Sequence, residues 1–119
     1  MPPLPPRRSD CPISCVLDLL GDKWTLLVVR DLVLGKQRFD EFLGSPEGIA
    51  SNILSDRLKM LTEAGYLRRE PDRADGRRSL YSLTAQGEDL RKLVLSVARW
   101  GEAHFPGTMR APQGRGKKG

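Results

Sequence analysis

Apolar residues fall at helical spacing through most of this chain and switch to the period of strands over one short stretch. Ile13, Val16, Leu17 and Leu20 mark a first helix that stops at Gly21. Asp10 is its expected cap, and Pro12 sits in the first turn, where a missing N–H costs nothing. Asp22 is placed to cap a second helix, KWTLLVVRDLVL, which ends at Gly35. That helix is apolar on nearly every side, so it is expected at the centre of the fold. A short helix, RFDEFLG, follows, with Phe39, Phe42 and Leu43 expected inward. After the turn-rich SPEG, the segment IASNILSDRLKMLTEAG carries Ile53, Leu54, Leu58 and Leu61 on one face. It ends at Gly65, where positive φ is available.

YLRREP and SLYSLT then read as two strands, with Tyr66, Leu67, Leu80, Tyr81 and Leu83 among their apolar positions. Between them lies DRADGRR, in which Asp75-Gly76 is a turn pair: Gly tolerates positive φ and Asp bonds to nearby backbone. Thr84 is placed to cap a long final helix running to about Phe105. Its apolar positions, Leu90, Leu93, Val94, Leu95, Val97, Ala98 and Trp100, form a stripe wider than one core contact needs. The surplus points to a partner subunit, although the same residues could cover the central helix of their own chain. A short helix, a turn and a longer amphipathic helix make a helix-turn-helix, and the hairpin behind it makes a wing. The predicted fold is therefore mainly α with a small β-hairpin wing, a winged helix-turn-helix that dimerises through its first and last helices.

Composition changes this picture in three ways. At 119 residues there is room for one domain with a real core, expected over 11–106. Residues 1–10, with four prolines, and 107–119, rich in Gly and basic residues, read as disordered tails. The formal charge of +5 is a property of those tails, +1 at the front and +4 at the back, so residues 11–106 are neutral. Any argument for a nucleic-acid partner must rest on where charge sits. Residues 68–78 hold five arginines against Glu70, Asp72 and Asp75.

No apolar run approaches the roughly 18 residues of a membrane span, and the N-terminus lacks a signal-peptide stretch. The expected setting is the cytoplasm, without a membrane partner. Two cysteines, Cys11 and Cys15, and one histidine, His104, cannot build a usual zinc site without carboxylates. With no phosphate-cradling loop, nucleophile elbow or spaced His pair either, no enzyme, metal site or cofactor is predicted.

The segments CPISCVLDLLGDKWTLLVVRDLVLGKQRFDEF, GIASNILSDRLKMLTEAGYLRR and YSLTAQGEDL, in order over residues 11 to about 101, resemble the HxlR-type winged helix-turn-helix transcription regulators. The resemblance implies a homodimeric bacterial or archaeal regulator that binds a pseudo-palindromic operator in double-stranded DNA. Its recognition helix would span about 51–64 and its wing 70–79. Some members sense electrophiles or oxidants through the cysteine before the proline, which is Cys11 here. Where many relatives open the recognition helix with Ser after Ile, this chain has Ala50, which shifts the expected cap to Ser51 or Asn52.

Helical spacing puts Asn52, Ser55, Asp56 and Lys59 opposite the leucines, with Ser51 at the edge. Asn52 suits adenine, Ser51 and Ser55 a phosphate or base edge, and Lys59 a phosphate. Asp56 repels phosphate unless it accepts from cytosine or pairs with Lys59. Arg57, on the flank of the leucine face, is expected to pack its stem and send its head to solvent or an acidic partner. Lys36 and Arg38 are candidate backbone clamps, and Arg73, Arg77 and Arg78 candidate wing contacts to phosphates or the minor groove. Arg68 and Arg69 point to opposite strand faces, so at most one meets the duplex.

Trp24 and Trp100 read as packing residues, His104 as surface and Cys15 as a small buried hydrophobe. The position of Cys11 at the head of a helix near Arg7 and Arg8 suits a reactive thiol. Three readings remain open at this stage: a DNA-binding regulator, expected to be a repressor; a winged-helix protein-protein module; and a thiol-based sensor working through Cys11. A small-molecule or oxidant effector is compatible with the first and third.

Overall fold

A computed structural model describes residues 6–109; of the predicted tails over 1–10 and 107–119, residues 1–5 and 110–119 lie outside the described residues. Among the described residues, five helices and one hairpin run in the order α1 (Pro12–Leu20), α2 (Thr25–Val33), α3 (Phe39–Leu43), α4 (Ser51–Glu63), β1 (Leu67–Pro71), β2 (Ser79–Leu83) and α5 (Ala85–His104). The strands pair antiparallel, with Leu67 opposite Leu83, Arg69 opposite Tyr81 and Pro71 opposite Ser79. Among the described residues no helix is long and apolar enough to cross a membrane.

As its nearly all-apolar surface requires, α2 lies at the centre and touches α1, α4, α5 and β2. Val28, Val29, Leu32 and Val33 meet Leu54, Leu58 and Leu61 of α4, Phe42 of α3, and Leu90 and Val94 of α5 in one core. The cap of α2 is Trp24 and not Asp22, because the helix starts two residues later than expected, but Asp22 still serves the helix start: its Oδ2 accepts from the amides of Trp24 and Thr25 at 2.9 and 3.0 Å. Those donors would otherwise be orphaned at the helix start.

The junction of hairpin and α5 explains why the chain reads AGY and then LTAQG. Gly65 turns at φ 90°, so that Tyr66 N–H returns to the Leu61 carbonyl at 2.9 Å and closes α4. Thr84 Oγ1 accepts from the Gly87 amide at 3.0 Å, capping α5, and donates to the Gly65 carbonyl at 2.6 Å. At Gly87 the helix lies so close to the Tyr66 carbonyl that a Cβ would stand 2.1 Å from its oxygen. Only glycine fits there.

Several expectations need correction. The cap of α1 is Cys11, not Asp10, and it offers no side-chain cap bond. Helix α4 is capped by Ala50 in extended backbone, again without a side-chain bond, so neither Ser51 nor Asn52 takes that role; both lie inside the first turn. Leu43 faces outward, because α3 is a single short turn whose inward side is filled by Phe42. Gly76 does not use positive φ. The hairpin closes through two successive turns, Asp75 N–H to Asp72 O and Arg78 N–H to Asp75 O, with Asp side chains rather than a left-handed glycine shaping them. Trp100 is 60% exposed, stacked on His104 with ring centres 3.9 Å apart, since the stripe of α5 is broader than the face α2 covers. Trp24 packs against the core. Cys15 is half-buried.

Candidate nucleic-acid interface

Burial of Leu54, Leu58 and Leu61 fixes the rotation of α4 and leaves Ser51, Asn52, Ser55, Asp56 and Lys59 exposed on its other side. Arg57 is the hinge between the two faces. Its Nε donates to Asp22 Oδ2 at 3.0 Å and its other end pairs with Asp56. The recognition-helix candidate is thus tied to the head of the central helix. The same contact answers what Asp56 does: it pairs with Arg57, not Lys59. Burial raises the Asp22 carboxyl pKa, but hydrogen bonds from Thr25, Arg57 and the Trp24 and Thr25 amides outweigh it and hold the group at about 2.

The N-terminal end of α4 is positioned by a second network. Asp31, only 4% exposed, accepts from Ser45 Oγ at 2.6 Å and from Arg30, whose far end grips Glu47 at 2.7 Å. The turn between α3 and α4 is therefore pinned to α2. The Glu47 bond first, then Asp31, raise the Arg30 guanidinium above its ordinary range, against the effect of burial. Lys36 is drawn into this network, donating to Ser45 Oγ at 2.6 Å.

Two crossed ion pairs fasten the wing to α3. Arg38 Nε donates to Asp72 Oδ2 at 2.9 Å and Arg78 to Asp40 Oδ2 at 2.6 Å. Both carboxyls are lowered chiefly by these arginines, and both arginines are raised in return. Asp72 also accepts from the Ala74 amide at 2.9 Å, so one buried carboxylate shapes the turn and anchors it. Arg73 and Arg77 remain outward at the tip, the Arg77 side chain being 92% exposed with Asp75 at 3.3 Å.

Of the nine predicted contact residues, the structure groups Ser51, Asn52, Ser55 and Lys59 on one helix face and Arg73 and Arg77 on the wing tip. Lys36, Arg38 and Arg78 already hold internal partners. The residue that sequence reasoning left undecided is Arg69. It alternates with Arg68 on β1, so it shares the side of buried Leu67, and its Nε donates to Ser79 Oγ at 2.9 Å. A cleft of about 370 Å³ separates α4 from the hairpin, lined by Ser55, Lys59, Thr62 and Glu63 on one side and Arg69 and Tyr81 on the other. Arg68 faces away, 3.3 Å from Glu70. The available signal was the two-residue period counted from Leu67.

Cys11 is exposed at the head of α1, where its amide donates to Ser9 Oγ at 3.2 Å. Arg8 turns to Asp18 at 2.6 Å. Ile13, at 70% exposed, and Leu17 project from α1, and Val97, Trp100 and Phe105 from the end of α5 and just beyond it.

This arrangement has relatives. The HxlR-like helix-turn-helix family model matches residues 19–109. The uncharacterized HTH-type transcriptional regulator Rv3095 of Mycobacterium tuberculosis is 39% identical over 94 residues, 79% of this chain and 59% of its own length. The chain thus spans little more than half of that mycobacterial protein. Among solved structures, PA1607 superposes with a TM-score of 0.80 at 36% identity, covering 95% of this chain and 80% of its own. The reduced form of the redox regulator HypR gives 0.70 at 32% identity, covering 79% and 93%. The chain belongs to the HxlR-like helix-turn-helix family.

Proposed function

We propose that this protein is a transcription regulator, working in the cytoplasm as a homodimer that binds a pseudo-palindromic DNA operator and represses from it. The observation that carries the reading is the polar face of α4, turned outward by its leucines and flanked across one cleft by Arg69 and the wing. Ser51, Asn52 and Ser55 enter the major groove, and Lys59, Arg69, Arg73 and Arg77 hold phosphates or the adjacent minor groove. The apolar faces of α1 and α5 meet their copies in the partner subunit, setting the two recognition helices about 34 Å apart or a multiple of it. The test is selection of bound genomic fragments, followed by affinity against salt. Several phosphate contacts require a steep linear fall of log K with log salt. Failure to bind any fragment, with capture of an acidic protein instead, would replace this reading with a protein-protein module.

A second reading concerns the signal. Cys11 is exposed beside the apolar face of α1, and the similar HypR is a redox regulator with reduced and oxidised forms. Modification of Cys11 would alter the spacing of the recognition helices. Mild oxidant should change operator binding by the wild type and leave Cys11→Ser unaffected; equal responses would give Cys11 a structural role only.

A further inference from the structure

We propose that in the homodimer each subunit seats the indole of its Trp100 in the groove between α1 and α5 of its partner. The inference rests on the dimer reading above and adds its register and its anchor. No residue of α1 is fully buried within the chain, and Val16 and Leu17 stay 44% and 50% exposed. A nine-residue helix does not hold by itself, so its apolar side needs a cover from elsewhere. Beside it runs a groove of about 390 Å³, whose apolar walls are Val16, Leu19 and Leu20 of α1 and Leu90 and Leu93 of α5. Of its charged members, Asp18 is paired with Arg8 and Arg7 is exposed, so an uncharged aromatic enters without stranding a buried charge.

Helix α5 carries both the hole and the knob. Gln86, Leu90, Leu93, Val97, Trp100 and His104 follow at spacings of four, three, four, three and four, the seam of a helix pair. In its first half Leu90 is buried and Leu93 half-buried at the groove; in its second half Val97, Trp100 and His104 are all exposed. These spacings read the same from either end. Antiparallel pairing of α5 with its own copy, about a two-fold at the level of Leu95, therefore sets Trp100 over the partner's Leu90 and Val97 against the partner's Leu93. His104 then meets the partner's Gln86, so polar residues close both ends of the seam. Parallel pairing instead sets the exposed halves together and leaves both grooves empty. The two-fold makes both seatings at once, which closes the assembly at two subunits. The indole is also pre-set for the role, being stacked on His104 with ring centres 3.9 Å apart, so little rotamer freedom is lost on seating.

The test is a dimer of the full chain mixed from two preparations, one with protonated Trp in a deuterated background and one with labelled Leu and Val methyls. NOEs should run from the Trp100 indole to the Leu90 and Leu93 methyls of the other subunit. Within one chain Trp100 and Leu90 are ten residues apart, about 15 Å along α5, which is beyond NOE reach. Trp100→Ala should raise the dimer Kd measured by sedimentation about a hundredfold while the helical signal is kept, and Trp100→Phe should fall between. A dimer whose Trp100 touches other groups, or whose strength survives Trp100→Ala, overturns the seating and leaves the dimer reading standing. A wild-type chain that sediments as a monomer at the NMR concentration removes both.

Discussion

The Arg38 guanidinium reaches across 34 residues of sequence to the buried carboxylate of Asp72, at 2.9 Å, and joins the start of α3 to the wing. Four residues later in the wing loop than its neighbour Ala74, Arg78 makes the reciprocal contact to Asp40. The wing is therefore held in one orientation beside α4. Arg38→Gln should speed amide exchange at Ala74 and Arg78 while leaving the α2 and α4 core protected. Unchanged exchange would mean that the turn bonds alone hold the loop. Because Asp72 and Asp40 are lowered, both latches are complete above the ordinary carboxylate range and are lost only as pH falls beneath it.

The cleft between α4 and the hairpin predicts an asymmetry between adjacent arginines. Arg69→Gln should weaken DNA binding across sequences and lower the salt slope by about one, whereas Arg68→Gln should do neither. Arg73→Ala with Arg77→Ala should lower the slope by about two. Asn52→Ala should instead alter preference at one position per half-site, by about 1–3 kcal/mol. Binding titrations at several salt concentrations measure all of these.

Asp22 supports the head of α2 and holds Arg57 of α4 at once. Asp22→Ala should cost about 1 kcal/mol at neutral pH, a value kept modest because the pair is partly solvated. The lowered pKa fixes the sign of the pH effect. Its contribution is fully present above the unfolded value near 4 and drains away as pH falls toward about 2. Urea denaturation of wild type and variant should therefore converge at the acid end of that window. A constant difference down to pH 2 would mean that the carboxylate charge is irrelevant.

Two glycines of α5 should respond oppositely to alanine. Gly87→Ala sets a methyl against the Tyr66 carbonyl and should cost about 3 kcal/mol or abolish folding. Gly101 has open space where its Cβ would go, so Gly101→Ala should stabilise by up to about 1 kcal/mol through helix propensity alone. Thermal or urea unfolding separates the two.

Exposed Val97 and Trp100 belong to the proposed dimer face. Val97→Glu with Trp100→Glu should shift sedimentation toward monomer while the helical signal is kept. A dimer of unchanged strength would place the interface elsewhere.

The sequence by itself determined the helices, the hairpin and their order, because the period of apolar residues sets which face is buried and glycines and caps set where each element stops. Gly65 and Thr84 were legible for that reason: positive φ and a hydroxyl cap are local demands, met within three or four residues. Tertiary structure alone decided which arginines are free. Arg38, Arg78 and Asp72 look like surface residues in sequence, since an ion pair across more than thirty residues depends on where two loops come to rest. The outward position of Trp100 was decided in the same way, by how much of α5 the central helix can cover. So was the burial of Asp31, whose Ser45 partner lies 14 residues away and is brought beside it only when the turn after α3 folds back on α2.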